Sequence, residues 1–190
     1  MSTARGLAER LTGFVETVGR LSSWCFIALA GVIIFDVVSR RFFVLGSTKL
    51  QELEWHMHTL LFCFFLAAGY TRDSHVRVDL LRERFSARTK AIIEFGGICL
   101  LLIPFIVITT YYGIAFAHTA FVEGEVSAAG TGRGARWIVK SFVPLGLLLL
   151  LVAAVARALL CLRVLSGGGQ AAREPDPAPL STLATKAPDA

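Results

Sequence analysis

The sequence predicts an all-α membrane protein with four transmembrane helices. Of its 190 residues, 55% are hydrophobic and only 17% are charged, whereas about a quarter of the residues are charged in an ordinary soluble protein. The mean hydropathy is +0.65, and four apolar stretches are each long enough for a helical span of about 20 residues. Helices are expected because irregular backbone exposed to lipid leaves polar groups unpaired.

The four spans follow one another with short connections and are expected at residues 21–43, 55–71, 95–122 and 137–165. Together they define a transmembrane domain at residues 21–165. Ala28-Leu29-Ala30 resembles the cleavage site of a signal peptide, but apolar residues continue to Phe35. We therefore interpret the first stretch as an uncleaved span.

The flanking segments and the basic residues predict the orientation. Residues 1–20 are expected to be a cytoplasmic N-terminal arm. Residues 166–190 are rich in Gly, Pro and Ala and are expected to be a disordered cytoplasmic tail, because they bury too little apolar surface to offset the ordering entropy. Thirteen Lys and Arg residues fall on the side of both termini and six on the other side. Since basic residues are retained inside, both termini are expected in the cytoplasm.

A polar and basic insert at residues 70–90 separates the second and third spans. Its residues His75, Arg77 and Asp79 alternate with valines, so in an extended conformation the polar side chains point to one side. Leu80, Leu81 and Phe85 then follow among charged residues, which predicts a short interfacial amphipathic helix on the cytoplasmic face. The insert either only enforces topology or docks a second membrane protein.

The second span opens with two acids and two histidines at alternating positions, namely Glu52, Glu54, His56 and His58. On a strand they would share one face, but on a helix steps of two residues rotate by about 200° and leave two ligands on each side. We therefore expect no metal site. The alternatives are carboxylate–imidazole pairs near the interface and contacts from both carboxylates to Arg40 and Arg41.

Asp36 lies inside the first span, where a carboxylate is costly and often marks an ion path. Arg40 follows at the i+4 spacing that lets the two side chains pair on a helix. A structural pair is therefore favoured over a proton or ion site. At the start of the fourth span, Trp137 and Lys140 suit an interfacial belt and predict anchoring at the membrane surface.

Other chemistry is not predicted. The cysteines lie in apolar runs without CxxC spacing, so buried free thiols are favoured over disulfides or metal ligands; they are Cys25, Cys63, Cys99 and Cys161. The basic balance is better explained by topology than by nucleic acid. No nucleophile motif is present, so an enzyme and a resident cofactor are not expected.

Several motifs together resemble one transporter family. They are Arg40 closing the first span, Glu52 and Glu54 opening the second, the Ala-Ala-Gly-Tyr end at 67–70, His-Val-Arg-Val-Asp-Leu-Leu at 75–81, Pro104, Gly-Glu-x-Ser at 124–127, and Trp137, Lys140, Pro144 and Gly146. This pattern, from about residue 20 to 165, resembles the DctQ-type small membrane subunit of tripartite ATP-independent periplasmic (TRAP) transporters. Residues 128–136 depart from it, being richer in Gly and Arg.

The resemblance implies a function and partners. Such subunits accompany a large membrane permease subunit, which holds the sodium and substrate sites, and a periplasmic solute-binding protein that delivers an organic acid, dicarboxylate- or sialic-acid-like. The small subunit is expected to hold no substrate site, to lie in a bacterial inner membrane, and to brace the scaffold of the elevator-type large subunit. It would meet lipid and partner through His75, Arg77, Asp79, Glu52, Glu54, Arg40, Trp137 and Lys140.

Two other classes compete with this interpretation. One is a haem b-type membrane anchor of a redox complex, whose candidate ligands are His56, His58 and His118. Two of these histidines sit near one helix end, and only His118 could oppose them. The other class is a membrane enzyme. For this class the sequence lacks a recognisable nucleophile or metal constellation.

Overall fold

The computed structural model describes residues 2–43, 46–72, 85–127 and 134–166. Within these residues the chain is helical and has no strand, which confirms the predicted all-α class. The helices are α1 (Ser2–Phe43), α2 (Thr48–Thr71), α3 (Ala87–Gly97), α4 (Ile103–Val122) and α5 (Trp137–Leu165), with a π-helical turn at Ile98–Leu102 between α3 and α4. The predicted tail and the predicted amphipathic helix around Leu80 and Leu81 fall outside the described residues.

Among the described residues, three helical segments are long and apolar enough to cross a membrane, namely Gly6–Phe43, Ala87–Val122 and Trp137–Leu165. Helix α2 is not among them, because its first turns carry two acids and two histidines that lower its hydropathy. Its 24 residues still measure about 36 Å, enough for a hydrocarbon core of about 30 Å. The prediction of spans is thus confirmed for three helices, and the second span stays a prediction.

Helix α1 is longer than the predicted first span, because it begins at Ser2 and continues without a break to Phe43. No proline interrupts these 42 residues, so the helix is continuous over this length. The segment predicted as a cytoplasmic N-terminal arm, residues 1–20, is therefore helical from Ser2 onward and continuous with the first span; its location in the cytoplasm stays a prediction. Ala8 and Val15 are buried there, which shows that this half packs within the bundle.

Helix α5 occupies the centre of the bundle and packs against α1, α2, α3 and α4, while α1 also packs along α2. A helix that is apolar all round is expected in such a position, and α5 has no charged residue between Ser141 and Ala156. The core residues come from α1, α2, α4 and α5; they are Val15, Ala67, Ile106, Leu147, Leu149, Leu150 and Ala153.

Small residues bring the helices close together. A Cβ at Gly19 of α1 would lie 2.5 Å from the Cβ of Ala68 of α2, and a Cβ at Gly113 of α4 would lie 3.4 Å from Cδ of Pro144 of α5. Helix α5 also buries a face of small residues at Ala153, Ala154 and Ala156. By contrast, Gly96 and Gly97 face open space.

The π-helical turn directly precedes Pro104. At its end the amide of Ile103 donates to the carbonyl of Ile98, five residues back. In a regular α-helix the Pro104 ring would clash with the carbonyl of Leu100, and no proline amide could donate to it. The wider turn absorbs this mismatch, so that α3, the turn and α4 continue as one rod from Ala87 to Val122.

Candidate functional site

The first polar pair lies near the end of α1. The Asp36 side chain is fully buried, and the guanidinium of Arg40 one turn further on forms an ion pair with Oδ2 of Asp36. Neither carboxylate oxygen accepts a well-oriented hydrogen bond from the described residues, so proximity of opposite charges carries the contact. The predicted i+4 pair is confirmed. Since a buried charge without its partner is strongly destabilising, Arg40 is what allows a carboxylate at position 36.

The start of α2 presents the other predicted polar residues of this end. Nδ1 of His56 pairs with the backbone carbonyl of Glu52, one turn back. Oε1 of Glu54 is buried and has no hydrogen-bond partner among the described residues. Arg40 is paired with Asp36; among the described residues no ion pair joins Glu54 to Arg40 or Arg41, and the predicted contact from Glu52 stays a prediction.

A groove between α1 and α2 opens beside Glu54. It has a volume of about 320 Å³ and is lined by Leu29, Ile33, Glu54, Trp55, His58 and Thr59. Its walls are largely apolar, and the Trp55 side chain at its edge is 75% exposed. The groove therefore combines an apolar slot, an exposed aromatic ring and one carboxylate.

Backbone geometry positions the polar residues that follow α4. Gly124 adopts a left-handed conformation with φ of 60°, which glycine enters without a Cβ clash. The amide of Glu125 then donates to the carbonyl of Ala120 over 3.0 Å. This is the Schellman arrangement that closes a helix. It turns the chain back and places Glu125 beside the start of α5.

Glu125 binds two cations, namely Lys140 of α5 and Arg136, the residue directly before α5. Its Oε2 accepts from Nζ of Lys140, and its Oε1 lies 3.4 Å from Nη1 of Arg136. Nζ of Lys140 also lies 3.7 Å from the centroid of the Phe116 ring of α4, at a distance that allows a cation–π contact. Lys140 is thus held by a charge and a ring, and its predicted contact with partner or lipid stays a prediction.

Trp137 takes part in the same connection. Its ring packs edge-on against Phe121, with the centroids 5.4 Å apart and the planes at 86°, the T-shaped arrangement that aromatic pairs prefer. Trp137 is 38% exposed, so part of the indole remains available at the surface. This fits the predicted anchoring at a membrane interface, which stays a prediction.

A further ion pair joins α3 to α5 and was not predicted from the sequence. Nε of Arg157 donates to Oε1 of Glu94 over 2.6 Å, and its Nη2 lies 3.4 Å from Oε2. Both side chains are about three-quarters buried. A signal was present: the two charges stand near the same predicted membrane face, on consecutive spans that run in opposite directions.

The remaining predicted interface residues cannot be placed, since His75, Arg77 and Asp79 lie outside the described residues. Their roles stay predictions. Of the candidate haem ligands, His58 lines the groove between α1 and α2, whereas His118 lines a separate groove of about 470 Å³ between α4 and α5. These two histidines therefore lie in different grooves. Within the described ranges, no group of three metal-ligating side chains comes together.

The apolar helices and the family comparison define the class of this protein. Its three long apolar helices are those of a multi-pass membrane protein. The profile of the DctQ component of tripartite ATP-independent periplasmic transporters matches residues 29–164, more than half of the chain. The chain belongs to this family, the small component of the TRAP transporter, and the resemblance inferred from its motifs is confirmed. No curated protein matches the chain.

Membership fixes the general function. The DctQ family consists of transporter subunits and not of enzymes, and it works with a large permease and a periplasmic binding protein as a tripartite system. The ion pairs at the helix ends therefore belong to a transporter subunit. Nothing in the comparison supports the haem-anchor alternative.

Proposed function

We propose that this chain is the accessory small subunit of a sodium-driven, binding-protein-dependent secondary transporter for an organic acid, of the dicarboxylate or sialic-acid kind. In this proposal it braces the scaffold of the large elevator-type subunit and holds no substrate site. The match over residues 29–164 carries the proposal. Its polar side chains at the helix ends support a bracing role, because they join this chain's own helices to one another.

The internal contacts favour a rigid body. Glu94 and Arg157 fasten α3 to α5, and Glu125 and Lys140 fasten the chain after α4 to α5. Between these ends, α5 packs against every other helix. A scaffold against which another domain moves must itself resist deformation, and ion pairs at both ends of a closely packed bundle supply that resistance.

The proposed location is the inner membrane of a bacterium with both termini in the cytoplasm. The distribution of Lys and Arg supports this orientation. It places the α1–α2 connection and the α4–α5 connection at the periplasmic face. It also places the insert with His75, Arg77 and Asp79 at the cytoplasmic face, where we propose that it contacts lipid headgroups and the large subunit.

The experiment is an uptake assay in proteoliposomes that contain the large subunit with or without this chain, supplied with the binding protein and radiolabelled dicarboxylate or sialic acid. The proposal expects uptake that needs a sodium gradient and falls at least tenfold when this chain is omitted. A large subunit that transports at the full rate without this chain would contradict the accessory role. Uptake driven equally by a potassium gradient would contradict the sodium coupling.

A further inference from the structure

The groove between α1 and α2 contains a charge that the described part of the chain does not neutralise. Glu54 lines this groove, and its Oε1 is buried without a hydrogen-bond partner in the described ranges. The other lining residues bring no cation in contact with it. His58 stands one turn further along α2, yet among the described contacts no ion pair or hydrogen bond joins His58 to Glu54. One carboxylate oxygen of the half-buried Glu54 is therefore left without a partner in the described residues.

Arg40 of the neighbouring helix is already engaged. Arg40 forms its ion pair with Asp36, whose side chain is completely buried. If Arg40 turned to Glu54, Asp36 would be left as an uncompensated buried charge, which is the costlier arrangement. No ion pair within the described residues neutralises Glu54, so a cation of another molecule can pair with it.

The surroundings make an uncompensated carboxylate costly. Leu29 and Ile33 form the apolar wall opposite Glu54, and an ionised group that leaves water is stabilised only by a paired charge and hydrogen bonds. An ionisable residue inside the membrane is by default a candidate functional site. The ring of Trp55 stands exposed at the groove edge, where it offers a face to a guanidinium or ammonium group.

We infer that this groove is a docking site for a membrane helix of the large subunit, which inserts an Arg or Lys side chain between α1 and α2 to pair with Glu54 beside Trp55. The inference rests on the proposed function, since it supplies the partner. Charge complementarity selects a protein cation over a lipid amine. A zwitterionic headgroup carries its own phosphate, which neutralises the amine and repels the carboxylate, whereas a basic side chain brings an uncompensated charge.

The experiment uses the full chain, affinity-tagged and expressed with its large subunit, as wild type, Glu54→Gln and Glu54→Lys. The matched control is Glu123→Lys, a charge reversal at an exposed acid beyond the end of α4. We expect Glu54→Lys to recover at most a tenth of the large subunit that the wild type recovers, and Glu54→Gln to recover severalfold less. Glu123→Lys recovers as much as the wild type.

Two further measurements separate docking from folding. The Glu54→Gln subunit, purified alone, should melt at or above the wild-type temperature, because it loses an unpaired carboxylate; a lower melting temperature would assign Glu54 an internal structural role and overturn the inference. Exchanging one Arg or Lys of the large subunit for Glu should restore its recovery with Glu54→Lys.

Two other outcomes also decide the matter. The inference would be overturned if Glu54→Lys recovered as much large subunit as the wild type. It would also be overturned if the wild type lost the large subunit only in membranes without phosphatidylethanolamine. If the wild-type chain itself brings down no large membrane subunit, the proposed function fails instead, and the two failures are thereby distinguished.

Discussion

Gly146 of α5 lies directly against the backbone of Cys63 of α2. A Cβ at position 146 would stand 2.6 Å from the Cβ of Cys63 and 2.7 Å from its carbonyl oxygen. A backbone oxygen cannot rotate away as a long side chain can, so only glycine fits here without moving one helix. The contact fixes the spacing of α2 and α5 in the middle of the bundle, between the ion pairs at its two ends.

Replacing this glycine tests how tightly the two helices are held. We expect Gly146→Ala to destabilise the subunit by about 1–3 kcal/mol, the usual cost of overpacking a closely packed core. The measurement is the thermal unfolding of the purified subunit in detergent. Gly31→Ala on α1 is the control, because a Cβ there meets nothing within 4 Å; equal melting temperatures for the two variants would show that α2 and α5 are not in close contact.

The pair between Glu94 and Arg157 should couple α3 to α5. Each hydrogen bond to a charged group contributes about 1.5–3 kcal/mol, so Glu94→Gln and Arg157→Gln are each expected to lower the melting temperature. The double variant should lose clearly less stability than the sum of the two single losses, because both single substitutions remove the same interaction. Additive losses would mean that each side chain acts through other contacts.

Lys140 should stabilise the connection between α4 and α5 through Glu125 and the Phe116 ring. We expect Lys140→Met to cost about 1–2 kcal/mol, because it removes both a charge-assisted hydrogen bond and a cation–π contact. Lys49→Met, at an exposed position near the start of α2, serves as the control in the same melting experiment. A Lys140 variant as stable as the control would argue that the pair with Glu125 does not persist in the membrane.

Asp36 and Arg40 should respond unequally to substitution. Arg40→Leu leaves a buried carboxylate without its cation and is expected to cost about 3–5 kcal/mol. The double variant Asp36→Leu with Arg40→Leu removes both charges and should recover most of this loss. Stability and expression level in membranes report the result. If the double variant is no better than Arg40→Leu alone, Asp36 has a role other than pairing.

The polar insert should contribute to assembly with the large subunit. We expect Arg77→Ala and Asp79→Ala to reduce the amount of large subunit that co-purifies with this chain, while insertion of the chain into membranes is unaffected. Quantitative immunoblots of the membrane fraction and of the eluate measure the two effects separately. Unchanged recovery together with unchanged uptake would leave the insert a purely topological role.

Local spacing was enough to predict much of the bundle. The i+4 spacing of Asp36 and Arg40 predicted their pair, and the predicted bounds of the fourth span are those of α5. These features depend on neighbours in the sequence, so the sequence alone contains the information. The predicted first span began at residue 21, whereas α1 begins at Ser2. The sequence did not show this longer helix, because charged residues can continue a helix once its apolar face has partners to pack against.

Contacts between distant residues could not be read in the same way. Glu94 and Arg157 are separated by 63 positions, and only the packing of α3 on α5 brings them together. Oε1 of Glu54 is buried because of where α1 lies, whereas the sequence shows only an acid at the start of a span. The close approach of Gly146 to Cys63 likewise depends on helix order, which neither composition nor periodicity specifies.

The most direct test of the central claim is affinity purification of the tagged chain from its native membrane in mild detergent, followed by mass spectrometry and an absorbance scan of the eluate. Membership in a tripartite transporter predicts a large polytopic membrane protein in the eluate, no haem absorbance, and a binding protein that joins when substrate is supplied. A haem band together with soluble redox subunits in place of the large membrane protein would contradict the account.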